Sequence, residues 1–376
     1  MKQNYCYIHI PFCTSKCKYC RFASFGNIDQ LKINLYVEKL IGEIKKSSFN
    51  IEEKTLNSIY FGGGTPSVLK IEQLGDIINA LKDKYAFEKD IEISIEATPI
   101  TITQENLIGW NELGINRLSI GVQSLNTDTL KEIGRGEKGD IINALDNIKH
   151  FLSEKNIDLN ISIDIIIGLP YVEKGEVKED ILDILHNNYF VKHISVYMLE
   201  EYYGEGERDS KFQKVVYPTD WKCKGIHEND YLDEYIDIKE TLKTKGFNSY
   251  EISNFAKQGY ECKHNQSYWN HSNILAYGLG AHGFINNTRY SNSEEFLNYY
   301  SENAKEYEAL DNQQLDIEKL MFGLRTSGIE QELYQNFDTE KISYFVDEGY
   351  LQKKSDKIHL SDKGVLLLDY ILGELL

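Results

Sequence analysis

The sequence has no apolar run long enough to cross a membrane. The longest apolar stretch, residues 161–169, contains Ser162 and Asp164 and falls well short of the ~20 residues that a membrane helix needs. Strand-like residues begin within about ten positions of the first residue, which leaves no room for a secretory leader. We therefore expect no integral membrane segment and a cytoplasmic location. No repeat beyond a strand–helix unit and no low-complexity segment is visible.

Basic residues are also scarce. Lysine and arginine total 41 against 59 aspartates and glutamates, which gives a net charge of −18. Such a balance argues against nucleic acid as the main partner and predicts good solubility. The six cysteines, three of them in one short stretch, are typical of metal binding in a reducing compartment rather than of a disulfide framework.

The clustered cysteines are Cys13, Cys17 and Cys20, in a C-x3-C-x2-C array directly after a short apolar strand. Three thiolates on one loop can bind three irons of a [4Fe-4S] cubane and leave the fourth iron open. An open iron can hold a chelating amino and carboxylate group, which S-adenosylmethionine offers. A structural zinc site and unpaired thiols are the alternatives, but zinc usually needs a fourth ligand at a second recognisable spacing, which the other cysteines do not supply. His9 lies on the strand that leads into the loop, and we expect it to support the cluster indirectly, without binding iron.

Apolar and β-branched runs recur at even intervals and predict six strands. They are Tyr5–Phe12, Ser58–Phe61, Ile91–Glu96, Arg117–Val122, Asn160–Ile167 and His193–Leu199. The segments between them have helical spacing: Leu31–Ile44, Ile71–Leu81, Thr103–Trp110, Ile141–Phe151 and Lys178–Leu185. The alternation predicts an α/β fold with a parallel sheet, which right-handed crossovers curl into a partial (β/α)6 barrel of the TIM-like kind.

The carboxyl ends of such strands line one mouth of a barrel, where a site is expected. Polar or glycine-rich segments fall at these ends: Phe12–Cys20, Gly62–Pro66, Glu96–Pro99, Gln123 and Asp164–Pro170. The glycine run could bind a carboxylate or amino group through its amides, or form a tight structural turn. Glu96, Gln123 and Asp164 could take the ribose hydroxyls and amino group of an adenosyl ligand, or satisfy backbone groups. Arg135 could pair with a carboxylate or lie on the surface.

The second half of the chain is less regular. Residues 202–220 predict a loop or lid, Tyr231–Lys245 a helix, and Phe247–Gly283 an irregular, ligand-shaping region. From Ile317 the pattern predicts two helices, a β-ribbon around Tyr350–Leu360 and a last helix, as in a small winged-helix module that packs on the barrel. The predicted domains are a barrel over 1–200, a lid and an aromatic, histidine-rich segment over 201–290, and the winged-helix-like module over 291–376.

The segment His264-Asn265-Gln266-Ser267-Tyr268-Trp269 joins an imidazole to aromatic side chains. Imidazole is a common axial ligand of haem iron, and flat apolar side chains suit a porphyrin face. The alternative is a packed histidine whose hydrogen bonds are satisfied in the core. His282 is a second candidate ligand of the same kind.

Together the motifs YIHIPFC, GGGTPS, GVQS, DIIIGLP, YEISNFA, HNQSYW and GLGAHG resemble those of the radical S-adenosylmethionine family of oxygen-independent coproporphyrinogen oxidases. Within it the chain is most similar to the HemW-type haem chaperones. Phe22 stands where the oxidases carry a further cysteine, only 12 residues precede Cys13, the HN..YW motif is intact, and the length suits the chaperones.

The resemblance implies that Cys13, Cys17 and Cys20 bind a [4Fe-4S] cluster. It further implies contacts to S-adenosylmethionine from Tyr7, Tyr19, Gly63, Gly64, Thr65, Glu96, Gln123, Arg135 and Asp164, and haem binding by His264, Tyr268 and Trp269. The implied function is to bind haem as cargo and pass it to an acceptor protein, with a reductant such as flavodoxin or ferredoxin as a further partner. The alternative is a radical enzyme acting on a tetrapyrrole, such as a coproporphyrinogen dehydrogenase or a methyltransferase.

Three positions depart from the chaperone pattern. Arg21 stands where the chaperones usually have aspartate, Thr98 replaces an asparagine, and Glu137 replaces a histidine. None of the three is a cluster ligand. They raise the hypothesis of a divergent paralogue with its own substrate.

Overall fold

The computed structural model describes residues 2–199, 221, 224–301 and 305–376. The predicted lid at 202–220 lies outside the described residues. The strands are β1 (Asn4–Ile10), β2 (Phe12–Cys13), β3 (Phe25–Gly26), β4 (Thr55–Gly63), β5 (Ala86–Ala97), β6 (Arg117–Gln123), β7 (Asn160–Ile167), β8 (Val191–Met198), β9 (Asn248–Ser249), β10 (Asn254–Ala256), β11 (Asn273–Tyr277), β12 (His282–Ile285), β13 (Thr288–Asn292), β14 (Lys305–Ala309), β15 (Ile329–Glu330), β16 (Leu351–Lys354) and β17 (Lys357–Leu360).

The five predicted helices are present and most extend a few residues beyond their predicted bounds, and a short helix over 127–133 was not predicted. The helices are α1 (Gln30–Lys46), α2 (Ile71–Lys82), α3 (Gln104–Glu112), α4 (Thr127–Ile133), α5 (Lys138–Lys155), α6 (Glu176–Asn187), α7 (Glu228–Thr244), α8 (Lys263–Trp269), α9 (Phe296–Tyr300), α10 (Asn312–Arg325), α11 (Gln331–Tyr334), α12 (Thr339–Asp347) and α13 (Leu368–Leu375).

The six predicted strands are confirmed as β1, β4, β5, β6, β7 and β8, which pair in parallel in that order. Helices connect them, as parallel pairing requires. In the described part of the chain β8 pairs next with the antiparallel strand β10 and not with β1, so the barrel is open. The predicted α/β fold with a partial barrel is confirmed.

Strand β1 is not the edge of the sheet. Strand β11 pairs with it in parallel, from Asn4 opposite Asn273 to Ile8 opposite Tyr277, and β12, β13 and β14 continue outward as antiparallel strands. The prediction of an irregular region was therefore wrong for residues 273–277. All five residues of β11 are buried, so the strand lacks the alternation by which a half-exposed strand is recognised.

Helix α1 shows how the outer layer forms. The Asp29 side chain caps it by accepting a hydrogen bond from the Lys32 amide at 3.0 Å. Its buried residues, among them Tyr36 and Leu40, recur at helical spacing and belong to the same apolar core as Ile8 and Ile10 of β1. The other face of β1 carries Tyr7 and His9, which is where the candidate site lies.

The C-terminal part has a second apolar core, which begins at Leu320. Helices α10 and α12, the ribbon of β16 and β17, and α13 appear in the predicted winged-helix order, with β15 pairing onto β17. The domain boundaries stay a prediction, and β14 still belongs to the large sheet. No helix in the described ranges is both long and apolar enough to span a bilayer.

Candidate functional site

The cysteine loop is tied to the sheet by main-chain hydrogen bonds. It leaves β1 and returns against the end of β4, where the Gly64 amide donates to the Ile10 carbonyl at 2.8 Å and the Thr65 amide to the Phe12 carbonyl at 2.7 Å. Further along, the Lys18 amide donates to the Ile133 carbonyl at 3.0 Å. These hydrogen bonds fix the path of the loop against β4 and the end of α4.

Side-chain donors from other elements meet two of the three thiols. The Thr65 hydroxyl donates to Cys13 Sγ at 3.4 Å, and Arg135 Nη1 donates to Cys17 Sγ at 3.7 Å. Burial raises the pKa of Cys13 and of Cys17. At Cys17 the positive charge of Arg135 lowers the pKa and so opposes this rise. These donors would stabilise thiolates, the form in which cysteine binds iron.

Arg135 fits a site that carries negative charge. Its Nη2 donates to the Gly121 carbonyl at 3.1 Å, and its buried Nε has no hydrogen-bond partner among the described residues. Within those residues no three His, Cys, Asp or Glu side chains form a group that could hold a single metal ion. A cubane asks for a different arrangement, one thiolate for each of three irons. The three cysteines of the loop, with the Arg135 guanidinium beside them, fit a [4Fe-4S] cluster.

His9 makes hydrogen-bond contacts with both the cysteine loop and its own strand. Its Nε2 lies 2.9 Å from the Ala23 carbonyl oxygen and its Nδ1 lies 3.1 Å from the Tyr7 hydroxyl. Gly63, at φ +112°, leaves room for this imidazole, because a Cβ at that position would lie 2.5 Å from His9 Cε1. A Cβ on Gly64 would lie 2.7 Å from the Phe12 carbonyl oxygen. These two glycines therefore serve close packing of the loop on the sheet, besides any contact with a ligand.

Glu96 lies near the end of β5 and accepts hydrogen bonds from two neighbours. The Tyr60 hydroxyl donates to Oε1 at 2.9 Å and the Gly63 amide donates to Oε2 at 3.1 Å. Burial raises the pKa of Glu96 to about 7, with a further contribution from the nearby Asp164 carboxylate, although the two hydrogen bonds oppose the rise. Glu96 is thus a carboxyl group that changes charge near neutral pH.

Asp164 and Gln123 lie on the neighbouring strands β7 and β6. Asp164 lies within β7 rather than at its end, and the Ser119 hydroxyl is 3.2 Å from each of its carboxylate oxygens. Burial raises its pKa. Gln123 ends β6 with φ +70°, a conformation that is uncommon outside glycine and asparagine.

A cavity of about 200 Å³ adjoins the cysteine loop. Thr65 and Arg135 line it together with Ser15 of the loop. Thr98 and Glu137, two of the three departures from the chaperone pattern, line the same cavity, whereas Arg21 is exposed. Two of the departures therefore share one wall with predicted cofactor contacts. Tyr19 lies beside Arg135, and burial raises its pKa, an effect that Arg135 opposes.

The HNQSYW motif forms α8, with His264 turned into the protein. His264 is 1% exposed; its Nδ1 is 2.8 Å from the Ser58 hydroxyl and its Nε2 is 3.2 Å from the Tyr268 hydroxyl. Its ring stacks on Tyr60 at 5.0 Å and on Tyr7 at 6.2 Å between centroids. Burial lowers its pKa to about 3, so the ring is neutral. The motif thereby meets the predicted cofactor residue Tyr7.

A larger cavity of about 580 Å³ opens beside α8, against strands β12–β14 and helix α10. Tyr268 lines it directly. Trp269 does not, but its ring packs edge-on against Phe322 of that wall at 5.4 Å. Other lining side chains are His271, His282, Phe284, Arg289 and Glu318. Of the three predicted haem residues, Tyr268 lines the cavity, Trp269 contacts a residue of its wall, and His264 is buried and reaches it only through the Tyr268 hydroxyl.

Glu92 and Arg117 form a buried pair that the sequence pattern did not reveal. The carboxylate of Glu92 accepts hydrogen bonds from the amides of Lys263 and His264 at 3.1 Å and 3.0 Å, at the start of α8. Arg117 Nε lies 4.0 Å from Glu92, and both side chains are under a tenth exposed. Burial disfavours the charge of Arg117, but the Cys262 thiol and Glu92 together raise its pKa. This pair fixes α8 against the sheet.

These features define a radical S-adenosylmethionine protein. The model of the radical SAM superfamily matches residues 7–184. Coproporphyrinogen III oxidase (HemN) of Escherichia coli, described as a radical SAM enzyme, has the same fold, with a TM-score of 0.81 over 99% of this chain and 89% of that one at 20% identity.

Sequence relatives narrow the assignment to one family. The haem chaperone HemW of Buchnera aphidicola subsp. Schizaphis graminum is 31% identical over 97% of this chain and 96% of its own length. HemW of Lactococcus lactis is 32% identical over 96% of this chain and 94% of its own, and HemW of Escherichia coli K12 is 27% identical over 97% and 96%. The chain belongs to the HemW family.

Proposed function

We propose that the protein is a haem chaperone that binds haem and transfers it to an acceptor protein while holding a [4Fe-4S] cluster and S-adenosylmethionine. One observation carries the proposal: the motif helix α8 places Tyr268 on the wall of a cavity of about 580 Å³. That volume is within the range of pockets that bury a drug-sized or cofactor-sized ligand. A cavity with aromatic walls suits the two faces of a porphyrin.

The cysteine loop would hold the cluster through Cys13, Cys17 and Cys20. When bound, the cluster supplies a reducible iron site with one open position. Thr65 and Arg135 donate hydrogen bonds to two of the thiols, which favours their deprotonated form. The proposed contacts to S-adenosylmethionine come from Tyr7, Tyr19, Gly63, Gly64, Thr65, Glu96, Gln123, Arg135 and Asp164. Glu96, near its point of charge change, can accept a proton or a hydrogen bond at this mouth.

In this proposal the HNQSYW residues act at the cavity wall. Tyr268 contacts the haem, His264 holds the Tyr268 hydroxyl at 3.2 Å, and Trp269 supports Phe322. An acceptor protein takes the haem, and a small electron carrier such as flavodoxin or ferredoxin reduces the cluster. Cysteines that bind iron remain reduced in the cytoplasm, which is where this proposal places the protein.

The test uses one anaerobically reconstituted preparation for two assays. Titration with haemin should give one haem per chain, and incubation with coproporphyrinogen and S-adenosylmethionine should give no decarboxylated product. Product formation coupled to consumption of the cofactor would instead identify a radical enzyme and overturn the proposal.

A pair of variants ties haem binding to the cavity. Tyr268→Ala should weaken haemin binding at least several-fold, because the side chain lines the cavity and is more than a third exposed. Tyr189→Ala is the matched control, since Tyr189 is 67% exposed and not among the lining residues. Equal haemin affinity in both variants would place the haem elsewhere.

A further inference from the structure

We propose that the iron of the bound haem is ligated by His282, on the wall of the large cavity beside α8, and not by the motif histidine. This inference rests on the proposed function, because it assigns the iron ligand of the same cargo. The observations that carry it are the hydrogen bonds of three histidines, the face that β12 presents, and the distribution of charge around the cavity.

Two of the three histidines near the cavity have nitrogens already in use. Both ring nitrogens of His264 are engaged, by Ser58 and Tyr268, and the ring is 1% exposed. His271 Nε2 lies 3.1 Å from Glu318 Oε2, which leaves only its Nδ1. Nδ1 is next to the Cβ attachment and is the more hindered nitrogen for approach to a flat macrocycle.

His282 differs from both. Its ring makes no hydrogen bond with any described residue, and its side chain is exposed and lines the cavity. Binding iron at His282 breaks no hydrogen bond and leaves no buried polar group without a partner. Binding iron at His264 would break a hydrogen bond and leave a buried hydroxyl without its partner. Ligation of the haem iron therefore costs the least free energy at His282.

The neighbouring side chains supply flat apolar surface. His282 and Phe284 lie two residues apart on β12 and so face the same side of the sheet. The Phe284 ring is 5.8 Å from the ring of His271, which in turn is 4.9 Å from Phe322. The wall beside His282 thus continues as a row of rings, the surface that a porphyrin covers on binding.

The charges of the cavity set the orientation of the carboxylates of haem. Arg289 donates to Glu308 at 3.1 Å and also pairs with Glu318, so its charge is already balanced. Glu306 adds a further negative charge to the lining. The propionates should therefore point to solvent, away from the wall of β13 and β14, with the apolar edge of haem inward.

The position of His282 also connects cargo to cluster. Gly280, two residues before His282, packs so closely on the cysteine loop that a Cβ there would lie 3.3 Å from the Cβ of Ala23, whose carbonyl contacts His9. An iron bound at His282 would thus lie at the end of the barrel where the cluster loop lies. With His282 as the ligand, the haem and the cluster would lie at the same end of the fold.

The experiment compares ferric haem spectra and affinities of the full-length chain and four variants. His282→Ala should weaken haemin binding at least tenfold and lose the imidazole-type spectrum, which added imidazole should restore. His282→Cys should bind haem with the shifted Soret band and electron paramagnetic resonance signals of a thiolate ligand. His264→Ala should keep the imidazole-type spectrum but bind haemin more weakly, because His264 holds the Tyr268 hydroxyl. The distant control His150→Ala, whose side chain is 69% exposed, should keep the wild-type spectrum and affinity.

Each outcome decides the matter. If His264→Ala loses the imidazole spectrum while its circular dichroism stays native, and His282→Ala keeps it, the inference fails and the proposed function survives. If the unaltered protein binds no haemin, both the proposed function and the assignment of His282 as the ligand fail. A spectrum unchanged in both variants would assign the ligand to another residue and overturn the inference.

Discussion

Arg135 Nη1 lies 3.7 Å from Cys17 Sγ, although 118 residues separate the two along the chain. The Nε of the guanidinium is buried and the side chain is half-buried, so its charge is only partly screened by solvent. A cubane held by three thiolates would gain negative charge on reduction, and a fixed cation at this distance favours the reduced form. In the proposed cluster site, this contact would therefore raise the reduction potential of the cluster.

The first prediction follows from that charge. Arg135→Met should lower the potential of the reconstituted cluster by on the order of 100 mV, since a unit charge several ångströms away at an effective dielectric of ~20 is worth about 2–3 kcal/mol. A redox titration followed by electron paramagnetic resonance measures it. Arg325→Met, on α10 of the C-terminal part, is the control and should leave the potential unchanged.

Cluster ligation is tested by exchanging one thiol. Cys17→Ser should abolish the brown iron–sulfur absorbance after reconstitution and reduce bound iron to background, because the hydroxyl is a poor ligand for this soft site. Cys262→Ser is the matched control, since that thiol is buried beside Glu92 and away from the loop. Absorbance retained in Cys17→Ser would refute the ligand assignment.

Gly63 tests the packing beneath the loop. In Gly63→Ala the new Cβ would meet the His9 ring at 2.5 Å and the backbone would keep φ +112°. We expect a loss of about 2–4 kcal/mol in the free energy of unfolding and poor cluster uptake. Gly42→Ala, in open space within α1, should instead gain about 0.5–1 kcal/mol. Urea unfolding of the two variants would measure both changes, and equal stability would contradict the proposed clash.

The raised pKa of Glu96 predicts that the free energy of unfolding depends on pH. Folding raises its pKa from 4.5 to about 7, so the native state holds a proton that the unfolded state has released. Stability should therefore fall as the pH rises from about 4.5 to about 7, by at most about 3 kcal/mol for this group. Glu96→Gln mimics the protonated form and should flatten that decline, measured by urea unfolding at pH 5 and pH 8.

The exposed Glu38→Gln on α1 is the control for that experiment and should retain the wild-type pH dependence. A Glu96→Gln variant with the full decline would show that another group is responsible.

The local features of the chain were predictable from sequence. The strands of the barrel carry regular β-branched runs, and the spacing of Cys13, Cys17 and Cys20 indicates their chemistry without reference to the fold. Strand β11 was not predictable, because it is short and buried throughout, and its position depends on pairing with β1 from Asn4 to Ile8, about 270 residues earlier.

Contacts between distant residues could not be predicted for the same reason. Nothing near Arg135 in the sequence indicates that it reaches Cys17, and nothing near His264 indicates that Ser58 occupies its Nδ1. The motif was recognisable, but the direction in which its histidine points depends on Glu92, which anchors the start of α8. Sequence patterns identified the residue types, and the fold decided which atoms remain available.

Strand β1, paired with β4 on one side and β11 on the other, gives the cysteine loop a stem that is hydrogen-bonded along both edges. Amides in such a central strand exchange with solvent only in large openings of the structure, whereas those of a frayed edge exchange in small ones. Oxidative loss of a cluster would then empty the loop without unravelling the strand that carries it. The chain could be reloaded repeatedly with iron and sulfide, with no cycle of unfolding and refolding between one cluster and the next.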